Sequence, residues 1–263
     1  MSMDKRGLLD RVARDGEERM LLGRIWDKYD QCRNRNIPVH SDLLSPQEQA
    51  AAERLLHMMG VAGGYVWWGG YEGAERRQLH FLPDWQETPD DEAIRCLHCT
   101  FYETGKLTHR DFLGSLMGLG LTREKIGDIL VSERSADFLV ADSVADFLLR
   151  DWTAAGRTAL KVEEIRFSEL TAPSQQVKEL RDTVSSLRLD SVLAVGFSTS
   201  RGRAAEAIET GRVQVNWTVC QKPDKQVAQG DVISVRGAGK CRLAAVGSMT
   251  KKGRIFITVE RYL

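Results

Sequence analysis

The spacing of apolar residues changes twice along this chain, and a chain with that pattern folds as a mixture of helices and strands. Up to Met59 the spacing is helical: Leu8, Leu9, Val12, Met20, Leu21, Ile25 and Trp26 fall largely three or four residues apart. Ser45-Pro46-Gln47-Glu48 then marks a helix start, with Ser45 as cap, Pro46 in the first helical position and Glu48 closing a capping box. That helix is predicted to run through Leu55 and Leu56 and to stop near Gly60.

From Val61 the pattern shortens. Tyr65-Val66-Trp67-Trp68, closed by Gly69-Gly70, and Arg77 to Leu82, ended by Pro83, read as strands. Pro89-Asp90-Asp91-Glu92 is expected to open a helix through Ile94, Leu97, Phe101 and Tyr102, and a second helix follows from Thr108 to Leu116. Ile126–Val131 and Ala136–Ala141 read as paired strands, Ser143 starts a helix through Phe147, Leu148 and Trp152, and Leu160–Ile165 closes the unit as a strand. The order β, α, β, β, α, β predicts a split βαβ sandwich over Val61 to about Phe167.

Thr171-Ala172-Pro173-Ser174 reads as a linker. Beyond it a short helix is expected around Val177–Val184, then one over Leu189–Val195 and one from Ser198 or Thr199 to Thr210, ended by Gly211. Val213-Gln214-Val215 and Val232–Val235 are predicted strands, and a last hairpin (Arg242–Val246, Arg254–Val259) turns at Lys251-Lys252-Gly253. The expected architecture is α+β in three parts, with a helical amino-terminal region over 1–60, an α+β domain over 61–170 and a last domain over 181–263.

No apolar run approaches the roughly 20 residues of a membrane span, so no membrane partner is expected. Five scattered cysteines in 263 residues argue against a disulfide framework and for a reducing, cytoplasmic setting. Zero net charge conceals an asymmetry. Arg181–Leu263 holds 14 Lys+Arg against 7 Asp+Glu, a local +7, and the remainder holds 23 against 30. A basic module on a mildly acidic body suits a chain in which one domain meets phosphates, and a chance fluctuation of a solvated surface reads equally well on charge alone.

Four elements in order separate these alternatives: Arg188-Leu189-Asp190, Ser200-Arg201-Gly202-Arg203-Ala204, Gly211-Arg212-Val213-Gln214-Val215-Asn216 and Gly230-Asp231-Val232-Ile233. Together they resemble the S-four domain, the RNA-binding module (αL motif) named after a small-subunit ribosomal protein. Arg201 and Arg203 fall at the amino end of a predicted helix, where free N–H groups and the helix dipole favour phosphate. Ser200 caps that helix, and Arg188, Arg212, Asn216 and Lys222 extend the candidate RNA-binding face. Arg203 has a rival role as an ion-pair partner of Asp190 or Glu206. The family places Gly after the Asn of the turn, whereas this chain has Trp217. Trp does not suit a tight turn with positive φ, so either a wider turn is expected, or Trp217 packs down or stacks on a base.

Two further stretches, Gly69-Gly70-Tyr71-Glu72-Gly73-Ala74-Glu75-Arg76 and Leu107 to Ile129, resemble the bacterial YlmH family. That resemblance spans nearly the whole chain. It implies an RNA-recognition-motif-like middle domain, a partner in ribosomal RNA of the large subunit and a second in peptidyl-tRNA. The implied role is quality control of obstructed large subunits. A cell-division adaptor that binds RNA and, further off, an RNA-modifying enzyme are the alternatives.

Several apparent catalytic signals have plainer readings. His109-Arg110-Asp111 follows Thr108, a good N-cap, so its side chains are expected to splay around a first helical turn. Cys96-Leu97-His98-Cys99 is half a zinc site with no second pair at finger-like spacing, and its cysteines are expected on one helical face as small core residues. No phosphate loop, dinucleotide fingerprint, Gly-x-Ser-x-Gly or His-Glu-x-x-His occurs. The expectation is a monomeric binding protein, not an enzyme, with no cofactor and no metal. Affinity for ribosomal RNA is expected to reside in Arg181–Leu263 and to fall steeply with salt, since neutralised phosphates release counterions. Titrating that fragment and the 1–167 fragment at two salt concentrations checks this. Tight, salt-insensitive binding by the amino-terminal fragment would overturn it.

Overall fold

The computed structural model describes residues 4–89, 91–101, 107–170 and 177–262, so the expected linker at 171–174 lies outside the described residues. The chain divides into two compact units, Met1–Pro173 and Ser174–Leu263.

The first unit opens with α1 (Lys5–Val12), α2 (Gly16–Arg35), β1 (Val39–His40), α3 (Pro46–Met58), β2 (Tyr65–Trp68) and β3 (Gln78–Phe81). Local chemistry sets the helix ends. Asp15 caps α2 by accepting from the Glu18 N–H at 2.8 Å, and Asn36 ends it in the left-handed region at φ 53°. α3 has the capping box read from the sequence, with the Ser45 N–H donating to Glu48 at 2.6 Å. β1, β3 and β2 form a small antiparallel sheet. Leu22, Ile25, Leu55 and Leu56 of the helices share one core with Leu79 and Phe81 of β3, so packing runs continuously across residue 60.

Next come β4 (Ile94–Thr100), α4 (His109–Gly118), β5 (Ile126–Val131), β6 (Ser135–Ala141), α5 (Asp142–Asp151), the short pair β7 (Ala154–Ala155) and β8 (Thr158–Ala159), and β9 (Lys161–Ile165). The sheet order β5-β6-β4-β9 gives the expected βαββαβ arrangement, but with a different first strand. That strand is Ile94–Thr100, which the sequence pattern assigned to a helix; Asp90 and Tyr102, at the ends of that expected helix, lie outside the described residues. β2 and β3 belong to the small sheet instead.

The reason is burial on both faces. Leu97, Cys99 and Phe101 enter a core with Phe112, Leu116, Phe138 and Leu148, whereas Ile94 and Cys96 enter another with Leu43, Leu139 and, partly buried, Trp68, Tyr71 and Phe167. A strand apolar on both faces loses its period of two and imitates helical spacing. Cys96 and Cys99 therefore point to opposite sides and share no ligand.

A knot of polar groups ties the helical part to this sheet. Asp128 of β5 accepts from the Tyr71 hydroxyl (2.8 Å), the Glu75 N–H (2.7 Å) and the Arg76 N–H (3.0 Å). Arg76, 9% exposed, donates to the carbonyls of Ile126 and Leu43 at 2.9 and 2.6 Å. Burial, with Arg76 alongside, pushes Arg123 down to about 10. Gly70, at φ +93°, lies so close that an added Cβ would stand 2.6 Å from Leu139 Cδ1, and one on Gly127 would stand 2.8 Å from the Leu139 carbonyl oxygen. The glycines and charged residues of the YlmH-like stretches thus have structural work in this joint.

The second unit comprises β10 (Val177–Val184), α6 (Leu189–Gly196), α7 (Arg201–Glu209), β11 (Val213–Val215), β12 (Thr218–Val219), β13 (Val232–Val235), β14 (Gly239–Met249) and β15 (Ile255–Tyr262). Its antiparallel sheet runs β10-β15-β14-β13-β11-β12. Leu189, Val192, Ile208, Val213, Ile233, Leu243 and Val259 form the core between helices and sheet. Val177–Val184, expected as a helix, is a strand, because all eight residues pair with β15 from Val177↔Tyr262 to Val184↔Ile255. Val177, Leu180 and Val184 fit a helical period, but the open edge of β15 offers a full ladder of partners.

Asp128→Ala is expected to destabilise the first unit by about 2–4 kcal/mol, through three lost hydrogen bonds to a carboxylate, and to leave the second unit unchanged. Denaturant unfolding followed by segment-resolved hydrogen exchange checks this. Equal loss of protection in both units would contradict it.

Candidate nucleic-acid interface

The candidate interface is built around a buried carboxylate. Asp190, 4% exposed, lies in the first turn of α6. Arg188, the N-cap residue of that helix, donates to both its oxygens at 3.2 Å. Arg201, the first residue of α7, donates from Nε at 3.0 Å. Burial alone would raise the Asp190 carboxyl, but the hydrogen bonds from Arg188 and Arg201 outweigh it and hold the group below its ordinary 3.8. One buried negative charge thus holds two guanidiniums, leaving a net positive charge at a surface where Arg201 is 53% exposed.

The backbone adds to this side. The Leu189 N–H donates to the Lys225 carbonyl (2.8 Å) and the Asp190 N–H to the Pro223 carbonyl (3.0 Å). These bonds satisfy two free donors of α6 and fasten the 222–225 loop, with its exposed Lys222 and Lys225, to the same helix start. Arg188 and Arg201 are therefore brought together on Asp190, with the backbone of the loop that carries Lys222 fastened beside them.

The other expected residues have different places. Ser200 caps α7, accepting from the Arg203 N–H at 3.3 Å. Arg203 is exposed and follows Arg201 by two residues, roughly 200° around the helix. The Asp190 partner is thus Arg201, not Arg203. Arg203 and Arg212 line a separate cavity, and Arg212 Nε donates to Thr210 Oγ1 at 3.1 Å.

Asn216 is committed to the fold: its Nδ2 donates to Asp231 at 2.8 Å, and its Oδ1 accepts from the Val232 N–H at 2.9 Å. The expected wider turn is absent. Asn216 (φ 47°) and Trp217 (φ 60°) make a tight two-residue turn that pairs Val215 with Thr218. Trp217 bears a left-handed backbone, at about 1–2 kcal/mol, because the clamped Asn216 and the register of β11 with β12 and β13 leave it no other conformation.

Sequence reasoning identified the arginines but missed Asp190 as their common anchor, Lys225 in the adjoining loop and Arg261 in the cavity. The first was legible in the Arg188-Leu189-Asp190 motif; the others needed chain-distant packing. In the first unit, Thr108 is the N-cap residue of α4, as read from the sequence, and Asp111 closes the turn by accepting from the Thr108 N–H (2.8 Å) and hydroxyl (2.7 Å). Burial pushes the Cys96 and Cys99 thiols up to about 12. Among the described residues no group of three or more His, Cys, Asp or Glu is placed to hold a metal.

A helix pair with a basic start, packed on an antiparallel sheet, defines an RNA-binding protein of the S-four class. Two family models match the sequence: "Putative RNA-binding domain in YlmH" over residues 100–169 and "S4 domain" over residues 187–233. The chain is 37% identical over 224 residues to "Ribosome-associated protein quality control protein P2" of Bacillus subtilis (strain 168), a match spanning 84% of this chain and 86% of that one. The solved structure of "Cell division protein ylmH from Streptococcus pneumoniae" superposes with a TM-score of 0.48 at 21% identity, covering 60% of this chain and 96% of its own. The chain belongs to the YlmH family.

Arg201→Ala leaves Asp190 with Arg188 alone and is expected to cost about 1–2 kcal/mol at neutral pH. A carboxyl whose folded pKa is depressed contributes stability above its unfolded pKa, lost as pH falls through the folded one. The difference between wild type and variant should therefore be complete above the ordinary 3.8 and shrink in stronger acid. Denaturant midpoints across a pH series check this. A difference independent of pH would remove the clasp as its cause.

Proposed function

We propose that this chain is a non-catalytic RNA-binding protein of the cytoplasm that docks, as a monomer, on ribosomal RNA of the large subunit. Its proposed role is quality control of obstructed subunits that still carry peptidyl-tRNA. The observation that carries this reading is the Asp190 clasp, which presents Arg188 and Arg201 as fixed, partly exposed donors beside a lysine-bearing loop. Guanidiniums held in place suit bidentate phosphate contacts, and recognition of folded RNA relies on backbone and shape more than on base edges. The name of the Bacillus subtilis relative supports the ribosomal setting. The high thiol pKa values and the capping role of Asp111 support a non-catalytic part.

On this reading Arg188, Arg201 and Lys222 bind phosphates, Arg203 and Arg212 bind RNA from the neighbouring cavity, and Ser200 and Asn216 act by holding their elements in place. One S-four domain offers few phosphate contacts, so useful affinity needs added contacts from the first unit, which linkage makes effective without any being tight. The sheet face opposite α4 and α5 is partly covered by the protein's own Trp68, Tyr71 and Phe167, so the first unit is proposed to touch RNA by edges and loops.

Gradient co-sedimentation with vacant large subunits, tRNA-bearing large subunits and intact ribosomes tests the reading. Preference for the tRNA-bearing subunit is expected, weakened severalfold or more by Arg201→Ala. Equal binding to all three would leave a general RNA binder and remove the quality-control role.

A further inference from the structure

The second unit holds a cavity of about 360 Å³ that the clasp does not use. Its apolar wall includes Leu193 and Phe197 from the end of α6, and its charged wall includes Arg203, Arg212 and Arg261. Arg261, near the end of β15, lies with its guanidinium carbon 5.1 Å from the centre of the Phe197 ring, which braces it against the apolar wall. Among the described residues none of these three arginines pairs with a carboxylate. Glu206 is the acidic residue lining the cavity.

Three positive groups around one opening repel each other until an anion enters. An isolated phosphate would satisfy them and leave the apolar wall without a partner. The volume is within the range that encloses a small organic ligand. The wall pattern asks for a ligand with an anionic end, a flat apolar body and an amino group that can donate to a carboxylate.

The geometry points to a pocket for one unstacked nucleotide of the bound RNA, its phosphate on Arg203, Arg212 and Arg261 and its base against Phe197 and Leu193. This inference rests on the RNA-binding reading above and deepens it. Glu206 would accept from an exocyclic amine, which favours adenine, guanine or cytosine over uracil. Unstacked bases held on aromatic rings and guanidinium planes are a common mode of single-strand recognition. Arg261 thereby joins the candidate interface as a binding residue from the far end of the chain.

The probe is a single-stranded RNA hexamer carrying one internal 2-aminopurine, titrated into the full chain. Emission should rise on binding, because the base leaves its neighbours in the strand. Arg261→Gln should weaken binding roughly tenfold, as expected for a lost phosphate contact, with Arg261→Lys intermediate. Ala207→Leu, which fills the cavity, should abolish the rise, with thermal melts showing that each variant folds. Unchanged hexamer affinity in Arg261→Gln would overturn the pocket. So would an abasic hexamer competing as strongly as the intact one, which would mark a phosphate site only. The wild-type comparison with the abasic strand decides the matter even if a variant fails to fold. If large subunits are bound and the hexamer gives no rise, the pocket fails and the docking reading stands. If neither RNA is bound, both fail.

Discussion

Removing a carboxylate from water costs several kcal/mol unless opposite charge and hydrogen bonds replace the lost solvent. Asp190 meets that requirement with Arg188 and Arg201, and the partners it uses come from the starts of two different helices. Neutralising one buried charge therefore fixes α6 against α7, and the backbone bonds of Leu189 and Asp190 fix the 222–225 loop to the same point. The same contacts that satisfy the core orient the basic groups outward. Stability and the proposed binding surface have one physical origin here, and an RNA docking on it would meet guanidiniums whose rotamers are already restrained.

The first unit solves a different problem. Its four-stranded sheet is apolar on both faces, so helices on one side leave a second face that must be covered. Leu43, Trp68 and Tyr71, all from the amino-terminal part, cover it together with Phe167, and the Asp128–Arg76 knot pins that cover in place. A sheet of this topology with an open, aromatic face would be a stacking platform for bases. Here part of that face is spent on packing, and the remaining groups include the His98–Asp137 pair, joined at 2.6 Å across neighbouring strands.

Legibility followed the range of the interactions. The capping box at Ser45 and the helix start at Thr108 were readable because each lies within a few consecutive residues. The S-four elements were readable because helix starts, Gly211 and the strand residues follow one another at fixed short spacings. Ile94–Thr100 and Val177–Val184 were misread for one shared reason. Each has apolar residues at spacings a helix would also use, and each is a strand because distant segments complete its ladder, β6 and β9 in one case and β15 in the other. Trp217 shows the reverse effect, where register and the clamped Asn216 override a poor local preference.

The sequence by itself determined the α+β class, the ends of several helices, the basic last unit and the identity of Arg188, Arg201, Arg203 and Arg212 as its candidate anion contacts. Those features depend on residue type and on neighbours within a few positions, where propensity, capping and charge act directly. Only the tertiary structure decided that Asp190 binds Arg201 and not Arg203, and that Asn216 serves the turn. It also brought Arg261 to Arg203 and Arg212 from 49 positions beyond the nearer of the two. Those outcomes depend on which side of α7 meets α6 and on how β15 closes the sheet, and burial across the whole unit selects both.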